Sequence, residues 1–404
     1  PAHRRRRVLV RGPEGPPPPY RSLVLGFDLG ADRFQSEVVT DDFRGAGLGH
    51  LLAVSGQNVA FVLVLAQPLL GRLEFRHRLP VTVSVIGFFA LLTRFEPSVL
   101  RASAMAAVAA TAAASGHPVA GRRVLALSLT ALVLWQPLLV HSLAFQLSVA
   151  ASAGILVLAP RIATALWGPA PLRLAVAVTA AAQLAVSPVL LTSIGDLPVA
   201  ALPANMLAGP AAGPISAWVL TVGLVAGAVG PPLAPLLHLP TRLLVWWAAE
   251  VAAWASRLPL GQLGWGNLLL LMAAGMLAAA GSRRWVRHLA AVVAIGALLA
   301  PAVALRAPTP HVRSEAGVEV WRGGGATVVA VDASARPAAA LAALRRAGVR
   351  RIDLAIARGT GNRARATIGV VAERYPPSRI WSVAVPREQP VVGQRHRLGT
   401  LTVE

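Results

Sequence analysis

The sequence contains no cysteine and no lysine. The first absence excludes a disulfide framework and any thiolate metal site. The second leaves all 38 basic residues as arginine, which we read as a GC-rich coding bias. Charge itself is scarce: 14% of the 404 residues, against about 25% in an ordinary soluble chain. There is no Walker A pattern, no Gly-rich nucleotide loop and no H-E-x-x-H helix, so nothing in the chain equips it to hydrolyse ATP. No signal-peptide pattern opens it. Pro1 and the basic run Arg4 to Arg7 lead only into Val8-Leu9-Val10, and the start reads as the edge of a fragment. No internal repeat is found.

Apolar residues make up 55% of the chain, and the mean hydropathy is +0.61. Long uncharged stretches alternate with short arginine clusters, the pattern of membrane spans separated by loops. Apolar runs fall near 50–70, 79–93, 98–114, 124–140, 143–159, 174–193, 212–229, 243–256, 264–281 and 288–305. A bilayer core takes roughly 20 apolar residues per helix, so the expected fold is an α-helical polytopic membrane protein of about ten spans. The second and eighth runs are short. The eighth holds Trp246, Trp247, Glu250 and Trp254 and suits the interface. Between the sixth and seventh, Leu197 to Gly213 is apolar but carries Pro198, Pro203 and Pro210, which predicts a re-entrant or broken helix, or a helix–loop–helix near the surface.

With ten spans, 11 loop arginines (Arg72, Arg76, Arg78, Arg122, Arg123, Arg161, Arg173, Arg242, Arg283, Arg284 and Arg287) fall on one side. Three (Arg94, Arg101 and Arg257) fall on the other. The positive-inside rule makes the first side cytoplasmic and puts both ends of the chain outside. The net charge of +21 fits such loops against anionic lipid, or a polyanionic substrate.

Three domains are expected: a polar segment 1–46, a transmembrane domain 47–306 and a soluble unit 310–404. In the last, Val318 to Trp321, Thr327 to Val331, Ile352 to Ala357 and Ile380 to Val385 read as strands. Pro337 to Ala347 and about 366–374 read as helices, giving a small α/β domain. From Arg306 on, 16 arginines and 7 acids give it a charge of +9.

Polar groups within apolar spans are costly and therefore candidates for function. His50, Ser55, Gln57 and Asn58 cluster at the start of the first run. Singly such groups hold a bundle together by hydrogen bonds; four together point to a hydrated path. Arg94, Glu96 and Arg101 surround Pro97 at a helix start. Arg101 either snorkels to the interface or meets phosphate in a conduit. Gln146, Gln183, Asn205 and Glu250 are lone polar groups in other spans.

The stretches Gly49-His50-Leu51-Leu52-Ala53-Val54-Ser55-Gly56, Ala90-Leu91-Leu92-Thr93 with Pro97-Ser98-Val99-Leu100-Arg101-Ala102, Phe145-Gln146-Leu147-Ser148 and Pro203-Ala204-Asn205-Met206-Leu207-Ala208 occur in this order. Together, over roughly residues 22 to 305, they resemble the ComEC family, the inner-membrane channel protein for DNA uptake in natural transformation. The resemblance implies a channel for single-stranded DNA in the plasma membrane, working with a cytoplasmic helicase and a periplasmic or surface DNA receptor. It implies no cofactor. His50, Ser55, Gln57, Asn58 and Arg101 would line the path, with Gln146 and Asn205 behind them. The rival is a transporter or channel for another anionic solute.

The family usually has an N-terminal anchor and an OB-like domain, of which only a tail such as Arg4 to Val10 would remain here. Many members end in a metallo-β-lactamase-like domain, and the unit at 310–404 resembles the start of one. The family's H-x-H/D-x-D-H metal motif is replaced by Gly359, Gly361, Arg363 and Ala364, and its Asp-Val-Gly-Gln-Gly-Asp stretch by Glu319-Val320-Trp321-Arg322-Gly323-Gly324. The tail's histidines, His311 and His396, stand far from that loop. The expectation is a degenerate domain without metal or catalysis. Arg358, Arg363 and Arg365 then either contact nucleic acid on the outer face or belong to a neutral remnant.

Overall fold

The protein is described from a computed structural model, over residues 36–52, 56–117, 119–223, 226, 233–280, 283–305, 309–382 and 396–403. Two compact units share these residues. One holds Gly47–Leu197 and Ala201–Ala252; the other holds Ser36–Ala46, Pro198–Ala200 and the chain from Ala253 on.

The helices in chain order are α1 (Glu37–Gly45), α2 (Gln57–Leu70), α3 (Phe75–Leu92), α4 (Pro97–Ala114), α5 (Gly121–Trp135), α6 (Leu143–Val157), α7 (Ala159–Ala165), α8 (Ala170–Ser193), α9 (Ala201–Trp218), α10 (Leu233–Leu237), α11 (Leu239–Arg257), α12 (Trp265–Ala280) and α13 (Arg284–Ala304). Their limits follow local chemistry. Pro97 occupies the first turn of α4, where its missing N–H costs nothing. α5 ends as Gln136, ahead of Pro137, turns extended. Ser142 caps α6 by accepting from the Phe145 N–H (3.4 Å).

Every predicted apolar run coincides at least in part with helix. Three of the helices described are long and apolar enough to cross a membrane: Pro97–Ala114, Ala170–Ser193 and Arg284–Ala304. Leu143–Val157 with Ala159–Ala165, bent by 45°, makes a fourth if the pair is one span. The expectation of about ten spans therefore stands only in part. At about 1.5 Å per residue, a helix such as α2 or α12 falls short of a hydrocarbon core about 30 Å thick. The outward surface is nevertheless apolar: Trp167 (93% exposed), Leu134, Leu138 and Met276 are largely exposed. A surface of that kind belongs against lipid.

The Leu197 to Gly213 segment corrects the sequence reading. α9 runs unbroken from Ala201 through Pro210 and Pro214. Pro203 lies in its first turn. The two interior prolines lie on its exposed side, while Ala204, Ala208, Ala211 and Gly213 are buried against the rest of the unit. Irregularity appears instead at the π-helical turn Val219–Gly223.

In the second unit, α12 and α13 form an antiparallel hairpin, across which Asn267 Nδ2 donates to the Ala297 carbonyl (2.9 Å). The α/β domain follows. Its strands are β1 (His311–Ser314), β2 (Val318–Gly323), β3 (Ala326–Asp332), β4 (Leu354–Arg358) and β5 (Arg379–Ser382), in the order 1-2-3-4-5. The first three are antiparallel; β3, β4 and β5 are parallel. The parallel strands are joined by α14 (Pro337–Arg346) and α15 (Asn362–Arg374). Both helices cover one face, burying Val318, Val320, Val329, Val331, Ala355 and Ala357 against Leu341, Leu344, Ile368 and Val371. The alternate residues Trp321, Val328, Leu354, Ile356 and Trp381 lie on the other face. There they meet Leu398 and Leu401 of a hairpin, β6 (His396–Leu398) and β7 (Leu401–Val403).

Ser36–Ala46, just before the first apolar run, is part of this unit. α1 packs on α14 and α15. Its Asp41 pairs with Arg345, and its Asp42 Oδ1 lies 2.6 Å from Arg374 Nη2. Ser256, in the last turn of α11, donates to Asp42 (2.6 Å) and accepts from Arg374 (3.0 Å). Phe43 is fully buried beside them. Burial pushes the Asp41 carboxyl above its usual range, against the pull of Arg345 and Arg374.

Candidate functional site

Five helices of the first unit close on one another. α2 packs on α4, α4 on α6, α6 on α8, α8 on α9, and α9 returns to α2. The approach of α6 to α8 is closest at Gly154, where an added Cβ would stand 2.6 Å from the Ala181 carbonyl oxygen. Several polar residues predicted from the sequence fall on this ring.

Asn58, in the first turn of α2, is 2% exposed. Arg101 is half-buried on α4, one turn past Pro97. Its Nε donates to Ser148 Oγ on α6 (2.6 Å), and its Nη1 lies 3.1 Å from Met105 Sδ. Asn205, on α9, donates to the Ala201 carbonyl (2.8 Å) and reaches the Gly47 carbonyl (3.5 Å). It thus ties α9 to the chain just ahead of the 3₁₀ turn Gly49–Leu52. His50 is exposed on that turn. Gln146 is exposed and donates to the nearby Val140 carbonyl (2.8 Å), closing the helix start rather than reaching a neighbouring helix. Ser55 lies outside the described residues; of Gln57 only the backbone is described, opening α2.

Sequence reasoning missed Ser148. The motif Phe145-Gln146-Leu147-Ser148 drew attention to the amide, but residues two apart stand about 200° apart around a helix. The hydroxyl, not the amide, faces Arg101. Ser103 was missed as well: it is buried on α4, with its hydroxyl unbonded among the described residues.

The turn before α4 is strained. Arg94 and Phe95 both take positive φ (60° and 56°), a conformation that costs a non-glycine residue roughly 1–2 kcal/mol. The Phe95 N–H bonds the Ala90 carbonyl (2.8 Å), fixing where α4 begins and hence where Arg101 stands.

In the α/β domain, Arg358 is committed to carboxylates. It pairs with Glu319 (2.8 Å) and Asp332 (3.4 Å), and its guanidinium lies over the Trp321 ring (5.7 Å). Hydrogen bonding from Arg358 holds the Glu319 carboxyl below its usual range. Arg363 and Arg365 are exposed in the first turn of α15. The sequence reading grouped these three arginines; the structure separates the first from the others. No three His, Asp or Glu side chains gather as metal ligands among the described residues.

The family described as "Competence protein" matches residues 28–314. That span includes every helix of the closed ring. The chain belongs to the competence protein family. Among curated proteins, it is 29% identical over 249 residues to ComE operon protein 3 of Bacillus subtilis (strain 168), covering 60% of this chain and 30% of that one. It is 28% identical over 149 residues to the uncharacterized protein YcaI of Escherichia coli (strain K12), covering 35% of this chain and 20% of that one. The aligned region thus spans under a third of each relative. No solved structure matches the chain significantly.

Proposed function

We propose that this competence-family protein is a multi-pass plasma-membrane channel that passes single-stranded DNA inward during natural transformation. The observation that carries the reading is the closed ring α2–α4–α6–α8–α9, with Asn58, Arg101 and Asn205 on three of its helices, in a chain matched by the competence family over those helices. A polyanion crossing hydrocarbon must meet polar or cationic groups, while many fixed cations would trap it. Two buried or half-buried amides and one arginine meet both conditions. The driving force comes from a partner such as a cytoplasmic helicase, and a periplasmic or surface DNA receptor delivers the strand.

Both ends of the membrane region lie on the outer face. The loop arginine count points there, and the make-up of the second unit supports it. Ser36–Ala46, Pro198–Ala200 and the chain beyond Ala253 belong to one compact body. Within it Asp42 meets Ser256 and Arg374, and the Val199 N–H donates to the Gly261 carbonyl (3.2 Å). The arginine count assigns Ser36–Ala46, Pro198–Ala200, the stretch around Arg257 and the α/β domain to the outside; the same body also holds α12 and α13, whose Arg283, Arg284 and Arg287 the count places inside.

The α/β domain is a degenerate metallo-β-lactamase-like domain without catalytic function. Its mixed sheet with crossover helices on one face supports that reading, as does the Arg358–Glu319–Asp332 ion-pair set. Arg363 and Arg365 are its remaining candidates for nucleic-acid contact.

The test is transformation frequency with labelled-DNA import, in a competent strain with the gene deleted and then restored. Import lost and regained with the gene supports the channel. Import unchanged by the deletion rules it out and leaves transport of another anionic solute as the reading.

A further inference from the structure

The Arg101 guanidinium is held on one edge by neutral groups. Nε is spent on Ser148 Oγ (2.6 Å), Nη1 touches Met105 Sδ (3.1 Å), and Nη2 stands 3.3 Å from where a Cβ on Gly56 would lie. No carboxylate is within ion-pair reach of it among the described residues. Arg345 and Arg374, also half-buried, differ in facing aspartates, whereas Arg322 donates to backbone carbonyls. A guanidinium has five N–H donors in a planar fork, and the contacts named here use two. A cation between membrane helices without a counter-charge is expensive, and this cost falls when an anion arrives.

The surroundings are built around that side chain. Gly56 fits against the start of α4, where an added Cβ would meet the Ser98 carbonyl oxygen at 2.7 Å and Ala102 Cβ at 3.0 Å. Only a residue without a side chain lets the backbone pass so close to Arg101. The strained turn at Arg94 and Phe95 sets the helix start on the other side.

We propose that Arg101 is a phosphodiester-binding site on the path of the strand, with Ser148 as the positioning residue that turns the guanidinium and Gly56 as the residue that makes room for it. The site rests on the transport reading above and gives it a location. The N–H groups of Arg101 without a partner among the described residues would take two oxygens of one phosphate side by side, a geometry that lysine cannot reproduce. One fixed cation holds each phosphate weakly enough to release it to the next.

The test uses the full chain in neutral detergent, where no lipid phosphate competes, with a short fluorescent oligothymidylate titrated at several salt concentrations. Each phosphate contact on a single strand contributes about −0.7 to the slope of log affinity against log salt. Arg101→Ala is expected to weaken binding about tenfold, the loss of one charged hydrogen-bonding contact, and to flatten the slope by about 0.7. Arg101→Lys keeps the slope and recovers part of the affinity. Ser148→Ala weakens binding a few-fold with the slope unchanged, because it misaligns the guanidinium without removing its charge. Wild-type affinity and slope in Arg101→Ala, with the wild type binding well, overturn the site and leave the channel standing. A wild-type protein that binds no oligonucleotide overturns the site and the transport reading together.

Discussion

Arg374 closes on Asp42 at 2.6 Å, joining the last helix before β5 to a helix that precedes every apolar run. With Arg345 on Asp41 beside it, this makes a buried four-residue charge cluster holding α1 against the α/β domain. Breaking one partner of a buried pair leaves an uncompensated charge, at a cost of roughly 3–5 kcal/mol. Asp42→Ala or Arg374→Ala should therefore lower the unfolding temperature of the full chain by several degrees. The double change Asp42→Leu with Arg374→Met should cost less than either alone, because it removes both charges and fills the space. Thermal unfolding of the three variants in detergent measures the coupling.

The absence of cysteine gives a native background for single-cysteine labelling. Arg44→Cys and Arg351→Cys, both at exposed positions, are expected to react with a membrane-impermeant maleimide from outside intact cells. Arg72→Cys and Arg122→Cys should react only after the membrane is opened. Accessibility of positions 44 and 351 from opposite sides would refute the shared outer location of α1 and the α/β domain.

Gly154 and Gly296 should respond oppositely to alanine. At Gly154 a Cβ meets the Ala181 carbonyl oxygen at 2.6 Å, and backbone cannot give way cheaply. Gly154→Ala is expected to destabilise the α6–α8 contact by about 1–3 kcal/mol. Gly296, on α13, has nothing within 4 Å of its Cβ position. Gly296→Ala should gain up to about 1 kcal/mol from helix propensity. Thermal stability in detergent separates the two.

Arg358 holds the Glu319 carboxyl below its ordinary value of 4.5. A carboxyl depressed in the fold stabilises the folded state in full above its unfolded value, and that contribution drains away as pH falls through the lower folded value. The α/β domain should therefore lose stability below about pH 4.5. Glu319→Gln should be less stable near neutrality and flatter across that window. Denaturant unfolding followed through Trp321, which lies under the Arg358 guanidinium, reports it. Equal pH dependence in the two proteins would show that the pair contributes nothing.

Much of this architecture is legible in the chain because its signals are local. Most apolar runs bounded by Pro, Gly and Arg gave helices within a few residues of those found, except the run at 212–229, whose helix lies at Ala201–Trp218; the alternation in Val318-Glu319-Val320-Trp321 gave a strand with two unlike faces. Where the reading failed, long-range packing decided. Pro198, Pro203 and Pro210 predicted a break, but α9 runs continuously from Ala201 through Pro210, with Ala204, Ala208 and Ala211 buried. Arg358 looked like a phosphate ligand because its partners, Glu319 and Asp332, come from two other strands. Asp41 and Asp42 drew no attention in a polar tail, since the arginines that bury them lie some 300 residues on: Asp41 and Arg345 are 304 positions apart. Asn58 and Arg101 are legible as candidates because a polar group in an apolar run stands out without knowledge of the fold.

In the proposed channel the strand passes inside the helix ring. A photo-crosslinking residue placed at Asn58, which is 2% exposed, or at Val64, which is 63% exposed on the same helix, distinguishes inside from outside while labelled DNA is being imported by living cells. A DNA adduct is expected at position 58 and none at 64. Import that continues with no adduct at 58, or with one at 64, would contradict that path.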